Sequence, residues 1–329
     1  MRAEYALRNV MRVLVLSAAC AAGLAVAGSA SAYGWPVKPF DKPHPIRSAF
    51  DDPRFHLGAE GSLSAFHFGV DIAAKDGTAV YAVAAGWVTA HAADVTVTSR
   101  SGRGFGYWHI RPVVRTHQRV RRHQLLGYVR RGWGHVHFAE SIDREYRNPL
   151  RRGALTPFYD KTVPTVASVS LVSPEGGGAV DPRRVTGTVD AEAEIFDTPP
   201  VAPRAPWNVA RLTPAIVWAR LLRNDQPLGD WSVVVDFHFA LMPASLYGYV
   251  YAPGTYQNKA NRPGKYLFWI AHDLDTTTLP NGRYTIEVLA ADTRWNMGVN
   301  SVSFTVANPQ QATPPQLAPG VVTPSGHAE

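Results

Sequence analysis

The sequence predicts a mainly β protein built from antiparallel sheets in two units. Three observations lead there. No stretch shows a long 3.6-residue apolar period, so long amphipathic helices are not expected. Short runs of β-branched and aromatic residues recur between glycine, proline and asparagine. The texture changes near Lys161, where Pro164 and then Pro174 interrupt the chain. With 329 residues, the chain is also too long for one ordinary core.

Residues 1–32 read as a secretory signal peptide. Arg8 and Arg12 precede an apolar run over 13–26, and Ala30-Ser31-Ala32 is a small-residue cleavage site before Tyr33. The run is short of a comfortable bilayer span. The mature chain is therefore expected to be secreted, extracellular or associated with a cell wall, with no membrane attachment after cleavage. Cys20, the only cysteine, lies in this run. The mature chain would have none, which excludes disulfides and cysteine-ligated metals.

Residues 33–53 are rich in proline and aromatic residues and read as an extended lead-in. From Phe66 to Phe158 the pattern is short strands and glycine turns. Val95-Thr96-Val97-Thr98 has the residues of a strand, Ser101-Gly102-Arg103-Gly104 those of a turn, and 134–138 is another short strand. A first domain is expected over 33–160. Residues 165–308 hold β-type runs at 166–172, 216–222, 231–239, 266–270, 284–290 and 302–306. Asn281-Gly282 is a hairpin signal. Val302, Phe304 and Val306 alternate with Ser303 and Thr305, which buries one face. Such strands predict a β-sandwich. Residues 309–329 have few large apolar groups and read as a disordered tail.

Apolar content of 46% with 18% charged residues is the balance of a globular protein. The formal net charge is +7, and basic residues crowd the stretch 111–152. Such a field favours an anionic partner: nucleic acid, acidic wall polymers and anionic lipid all qualify. The basic stretch carries no recognised nucleic-acid motif, so nucleic acid is the least expected of these.

Three segments carry chemistry. In His67-Phe68-Gly69-Val70-Asp71 a bend at Gly69 could turn an imidazole and a carboxylate toward one point, a pair that suits zinc. Alone, that spacing is weak evidence and reads more readily as a chance pairing. In His135-Val136-His137-Phe138 the histidines lie two apart, which on a strand places both on one face. They read either as a metal pair or as hydrogen-bonded core residues. His109, in Tyr107-Trp108-His109, reads by itself as structural. Residues 247–266 read as a surface loop or a binding loop, and His272, Asp273 and Asp275 as an ordinary solvated turn.

Together these segments resemble the lysostaphin-like zinc metallopeptidases, which cut peptide bonds in bacterial peptidoglycan. The resemblance covers roughly 40–158. His67-Phe68-Gly69-Val70-Asp71 is followed by Gly77-Thr78-Ala79-Val80-Tyr81-Ala82 and Gly86-Trp87-Val88, then by Tyr107-Trp108-His109 and finally by His135-Val136-His137-Phe138. It implies one zinc per chain on His67, Asp71 and His137, with His109 and His135 as catalytic residues that are not ligands. Which of the two is the general base stays open. Three departures stand out. His117 and His123 occupy positions where the family carries glycine, and are expected to face solvent. Ala139 stands where glutamate is common, with Glu140 one later. Residues 41–66 hold no tyrosine, which some members use to stabilise the oxyanion.

The function implied is a secreted zinc metalloendopeptidase acting on stem or cross-bridge peptides, with anionic wall polymers as further partners. The alternatives are a catalytically silent wall-binding activator of other hydrolases and a zinc protease of protein substrates. Residues 279–292 and 302–306 look like the last strands of immunoglobulin-like or fibronectin-like modules, which implies adhesion or spacing and no particular ligand.

Overall fold

The computed structural model describes residues 32–58, 61–174 and 177–309. The expected signal peptide, Ala32 apart, and the expected tail from residue 310 onward lie outside the described residues. In the first part of the chain the strands are β1 (Ile46–Ser48), β2 (Pro53–Gly58), β3 (Gly61–Phe66), β4 (Val70–Ala73), β5 (Ala79–Tyr81), β6 (Gly86–Ala90), β7 (Asp94–Thr98), β8 (Gly104–Trp108), β9 (Ile110–Pro112), β10 (Arg119–Val120), β11 (Leu125–Val129), β12 (His135–Ile142) and β13 (Glu145–Arg147). The main sheet runs β1-β4-β12-β8-β7-β6-β10, with β13 on β12, and a small sheet β5-β11-β9 lies beside it. The expected mainly β, antiparallel class is what the chain adopts.

Strand alternation divides this sheet into a core face and a site face. Val70 and Ile72 of β4, Phe105 and Tyr107 of β8, and Val136 and Phe138 of β12 join one hydrophobic cluster with Trp35. Asp71, Trp108, His135 and His137 are the residues between them and therefore point to the opposite face. The proline-rich lead-in is packed rather than free: Tyr33 and Trp35 are buried, and the Trp35 indole donates to the Pro157 carbonyl at 2.8 Å.

The second part holds β14 (Thr165–Val172), β15 (Thr188–Phe196), β16 (Ile216–Arg223), β17 (Gln226–Pro227), β18 (Ser232–Asp236), β19 (Leu267–Asp275), β20 (Gly282–Ala291) and β21 (Met297–Val306), with one α-turn at Tyr247–Val250. Sheets β14-β15-β19 and β17-β16-β20-β21, with β18 on β16, enclose one core that includes Ile195, Phe268, Val217, Ile286 and Phe304. This is a two-sheet sandwich. One expectation fails here. Asn281-Gly282 is not a hairpin turn, because β19 pairs β15 while β20 pairs β16 and β21. The chain instead crosses from one sheet to the other between β19 and β20. Tyr284 anchors that crossing by donating its hydroxyl to the Pro280 carbonyl at 2.8 Å, as a tyrosine corner does. Among the described residues no helix is long and apolar enough to cross a membrane.

The two parts interlock. Phe66 packs into the second core and Leu212 into the first. Asp51 and Asp52, both fully buried, accept backbone N–H bonds from Met242 (3.1 Å) and Thr213 (2.9 Å). The Tyr251 hydroxyl donates to the Asp51 carbonyl at 2.8 Å, and the Asn258 amide to the Arg47 carbonyl at 3.1 Å.

Asp160, Asp197 and Asp292 also converge where the parts meet. Burial, then the charge of Asp160, raises Asp197 to about 8. Its folded form keeps a proton that the unfolded chain releases near pH ~4. Its stabilising contribution is thus complete below ~4 and lost as pH rises to about 8. Replacing Asp197 by Asn should flatten the fall of melting temperature across that window. Parallel curves for variant and wild type would contradict this.

Candidate active site

The site is assembled from the strand pattern upward. Asp71 on β4 lies directly opposite His137 on β12, and Trp108 on β8 flanks His137 from the other side. Cross-strand neighbours on one face approach within contact distance. His67 arrives from the bend after β3. Gly69 makes the approach possible: a Cβ there would lie 2.8 Å from His137 Nε2, so any side chain would displace the ring. This is the physical reason for a glycine inside the first motif.

Three donor atoms meet. His67 Nε2 lies 2.7 Å from His137 Nδ1, and Asp71 Oδ1 lies 3.2 Å from each. A tetrahedral zinc with bonds of ~2.0–2.1 Å would space its ligands by roughly 3.3 Å. His67 donates through Nδ1 to the Ala49 carbonyl at 2.6 Å, which leaves its Nε2 with a lone pair facing the other two atoms. Burial first, then the Arg54 charge, lowers His67 to about 3; burial also lowers His137. Burial pushes Asp71 up, but charge and hydrogen bonds from His67, His135 and His137 outweigh it and hold the carboxylate well below its usual range. Two neutral imidazoles and one carboxylate, all buried, are a donor set that fits a divalent zinc.

His135 and His109 stand beside this triangle. His135 Nε2 is 3.4 Å from Asp71 Oδ1, and its Nδ1 edge lies 2.8 Å from the Trp133 carbonyl. His109 sits at φ +64, a left-handed kink between β8 and β9 that costs a non-glycine residue energy. The kink places its ring face to face with Trp133 (centroids 3.6 Å, 10°) and 4.7 Å from the His135 ring. Burial, then the His135 charge, lowers His109 to about 3. Trp133 itself is held by the turn before β12, where Asp76 accepts from the Gly132 and Gly134 backbones (2.7 and 2.9 Å).

All five residues singled out from sequence thus come together. His117 and His123 do not join them. Both are exposed and adopt positive φ (68° and 63°), and each occupies the third position of a turn closed by Gln118 or Gln124 onto the carbonyl of Arg115 or Arg121. A left-handed turn position accounts for the glycine preference there. Glu140 is a buried hub that accepts from Tyr33 (2.7 Å), Arg103 (2.6 Å) and Arg151 (2.6 and 2.8 Å). His272, Asp273 and Asp275 form no metal-binding group among the described residues.

Sequence reasoning missed Arg47 and Arg54. Arg54 pairs with Asp71 Oδ2 at 3.0 Å, and Arg47 Nη2 lies 2.5 Å from His135 Nδ1. Arg47 is a single arginine in the proline-rich lead-in and Arg54 stands just after it in β2, and no local pattern marks either one.

Residues 65–149 match the profile of Peptidase family M23, and that segment is an M23 peptidase domain. M23 peptidases are zinc-dependent metallopeptidases, and the match suggests a peptidase of that kind here. No curated protein matches the chain. Three solved structures are similar over part of it. A zinc-containing peptidase from Vibrio cholerae is 23% identical over 36% of this chain and 39% of its own, with a TM-score of 0.29. Csd3 of Helicobacter pylori is 25% identical over 40% of this chain and 38% of its own, with a TM-score of 0.30. A chain of the SpoIIQ–SpoIIIAH pore-forming complex is 21% identical over 37% of this chain and 90% of that one, with a TM-score of 0.31. The chain spans well under half the length of the first two.

Proposed function

We propose that this protein is an exported zinc endopeptidase that hydrolyses peptide bonds in peptidoglycan stem or cross-bridge peptides. The observation that carries the reading is the buried triangle of His67, Asp71 and His137 with two further histidines at its edge. One zinc per chain on His67 Nε2, Asp71 Oδ1 and His137 Nδ1 would supply Lewis acidity toward the scissile carbonyl and activate water at neutral pH. His135 and His109, neither in the triangle, would take the proton from attacking water and return it to the leaving amine. Burial keeps His109 neutral at pH 7.

The wall as substrate is supported by the export signal read from residues 1–32 and by a basic surface. Arg111, Arg115, Arg119, Arg121, Arg122, Arg130 and Arg131 are all exposed. That surface suits anionic wall polymers. The sandwich, taken as the immunoglobulin-like module read from sequence, would hold the enzyme to its substrate. An open cavity of about 540 Å³ lined by Tyr247, Tyr251, Trp269 and Asp190 supports a ligand-binding role for it. The silent-activator alternative is disfavoured because the complete ligand set is present.

The split between ligands and proton carriers is tested by substitution. His109→Ala and His135→Ala should keep zinc yet lose ~10²–10⁴-fold in turnover on muropeptides. His137→Ala should lose the metal. Zinc loss from either of the first two, equal to that from His137→Ala, would sink the assignment.

A further inference from the structure

Two arginines flank the site, and their surroundings differ. Arg54 is satisfied: it donates to Asp71 Oδ2 at 3.0 Å, to Ser48 Oγ at 2.8 Å and to the Pro53 carbonyl at 3.2 Å. Arg47 is not. It is only 9% exposed, and among the described residues no carboxylate lies within ion-pair distance; the Asp71 charge reaches it only from farther off. Its side-chain hydrogen-bond contacts among the described residues are to the His135 ring, at 2.5 Å to Nδ1 and 3.4 Å to Nε2. Among the described residues Nε and Nη1 have no acceptor, and neither is sealed from solvent. A guanidinium carries five N–H donors and cannot give up its charge. Leaving such a cation largely desolvated and without an anion is costly. The position therefore calls for a negatively charged group that arrives with a ligand.

The second part of the chain holds Arg47 in place. The Trp207 ring lies 4.1 Å from the guanidinium carbon, a cation–π stack, while Asn258 fixes the Arg47 backbone carbonyl. The guanidinium is thus set between the Trp207 ring and the His135 ring, with Nε and Nη1 not sealed from solvent.

We infer that Arg47 is a catalytic residue that donates to the scissile carbonyl oxygen as it becomes negative, and that Trp207 is the positioning residue that aims it. The inference rests on the peptidase reading. In the step it serves, a water oxygen bonds to the carbonyl carbon and the C=O π pair moves onto the oxygen facing Arg47. That pair returns as the C–N bond breaks, and the proton lost by water passes through histidine to the amine. A fixed donor where charge develops contributes more than one that must reorganise.

The test uses the full mature chain loaded with zinc, in Arg47→Met, Arg47→Lys, Trp207→Ala and Trp207→Phe forms. Four quantities are read: zinc content, kcat, KM on a defined muropeptide, and calorimetric affinity for inorganic phosphate as an oxyanion probe. Arg47→Met should keep zinc, lose ~10²–10³-fold in kcat with little change in KM, and weaken phosphate at least tenfold. Arg47→Lys should recover part of both. Trp207→Ala should lower kcat less than Arg47→Met, and Trp207→Phe should restore it. Wild-type kcat and phosphate affinity in Arg47→Met overturn the inference, as does zinc loss in that variant, which would make Arg47 a support for the metal site. Should Arg47→Met fail to fold, Arg47→Lys decides: unchanged kcat and phosphate affinity overturn it. If the wild-type chain cuts no muropeptide, the peptidase reading falls, and the phosphate arm still decides whether Arg47 is the anion donor of this site.

Discussion

Replacing Asp71 by alanine is expected to strip zinc from the protein and abolish peptide hydrolysis. Asp71 provides the only carboxylate in the donor triangle, and it also joins the groups around it. Its Oδ1 meets His67 and His137 at 3.2 Å, and its Oδ2 receives Arg54 at 3.0 Å. Removing it takes away the one negative charge in the triangle that offsets a dication and leaves Arg54 without its carboxylate partner. Loss of a group that merely orients a ligand typically costs 10–100-fold in metal affinity, so loss of a ligand itself should cost at least ~100-fold. Thermal melting reads this directly. On the proposed reading zinc binds the folded wild type in preference to the unfolded chain, so excess metal should raise its melting temperature, by ~2.7 kcal/mol of stability at a hundred times Kd. The alanine variant should show no such rise. A rise equal to that of the wild type would remove Asp71 from the ligand set.

The second large effect concerns the division of the chain. Read from sequence, the chemistry ends near Phe138 and a fragment ending at Asp160 looks self-sufficient. The packing argues otherwise. Such a fragment would expose Phe66, whose burial in the second core is worth ~1.5–3 kcal/mol. It would also release Asp51 and Asp52, fully buried carboxylates held from the second part by Met242 and Thr213. Phe66 and Asp52 sit directly against the His67 segment; the His67 N–H donates to the Asp52 carbonyl at 3.0 Å. Whole domains are stable by only ~5–15 kcal/mol. The fragment 33–160 is therefore expected to lose cooperative unfolding and zinc retention together. A fragment that melts cooperatively near the full-length temperature and holds one zinc would show that the interlock is dispensable.

The site was legible in the sequence where strand periodicity governs it. His135 and His137 are two apart on one strand, and so share a face whatever the rest of the fold does. His67 and Asp71 flank a glycine whose missing side chain admits the His137 ring. Residues brought in from a distance were not legible. Arg47 and Arg54 carry no local pattern, and Trp207 reaches the site only through the packing of the second part against the first. Strand β15 was also missed. Its sequence alternates alanine with Asp190, Glu192 and Glu194, and small and acidic residues are poor strand signals. Pairing between β14 and β19 makes it a strand. Asn281-Gly282 misled for a related reason: a turn dipeptide marks a change of direction but not which sheet receives the next strand.

The central claim is that three buried residues hold a zinc that cuts wall peptides. It is tested most directly by incubating the purified mature chain, with one equivalent of zinc, with defined muropeptides and reading the products by mass spectrometry. The expected result is a product pair differing from the substrate by one water across a single peptide bond, absent after chelation and restored by zinc. Intact muropeptides under those conditions, or cleavage of casein alone, would contradict it.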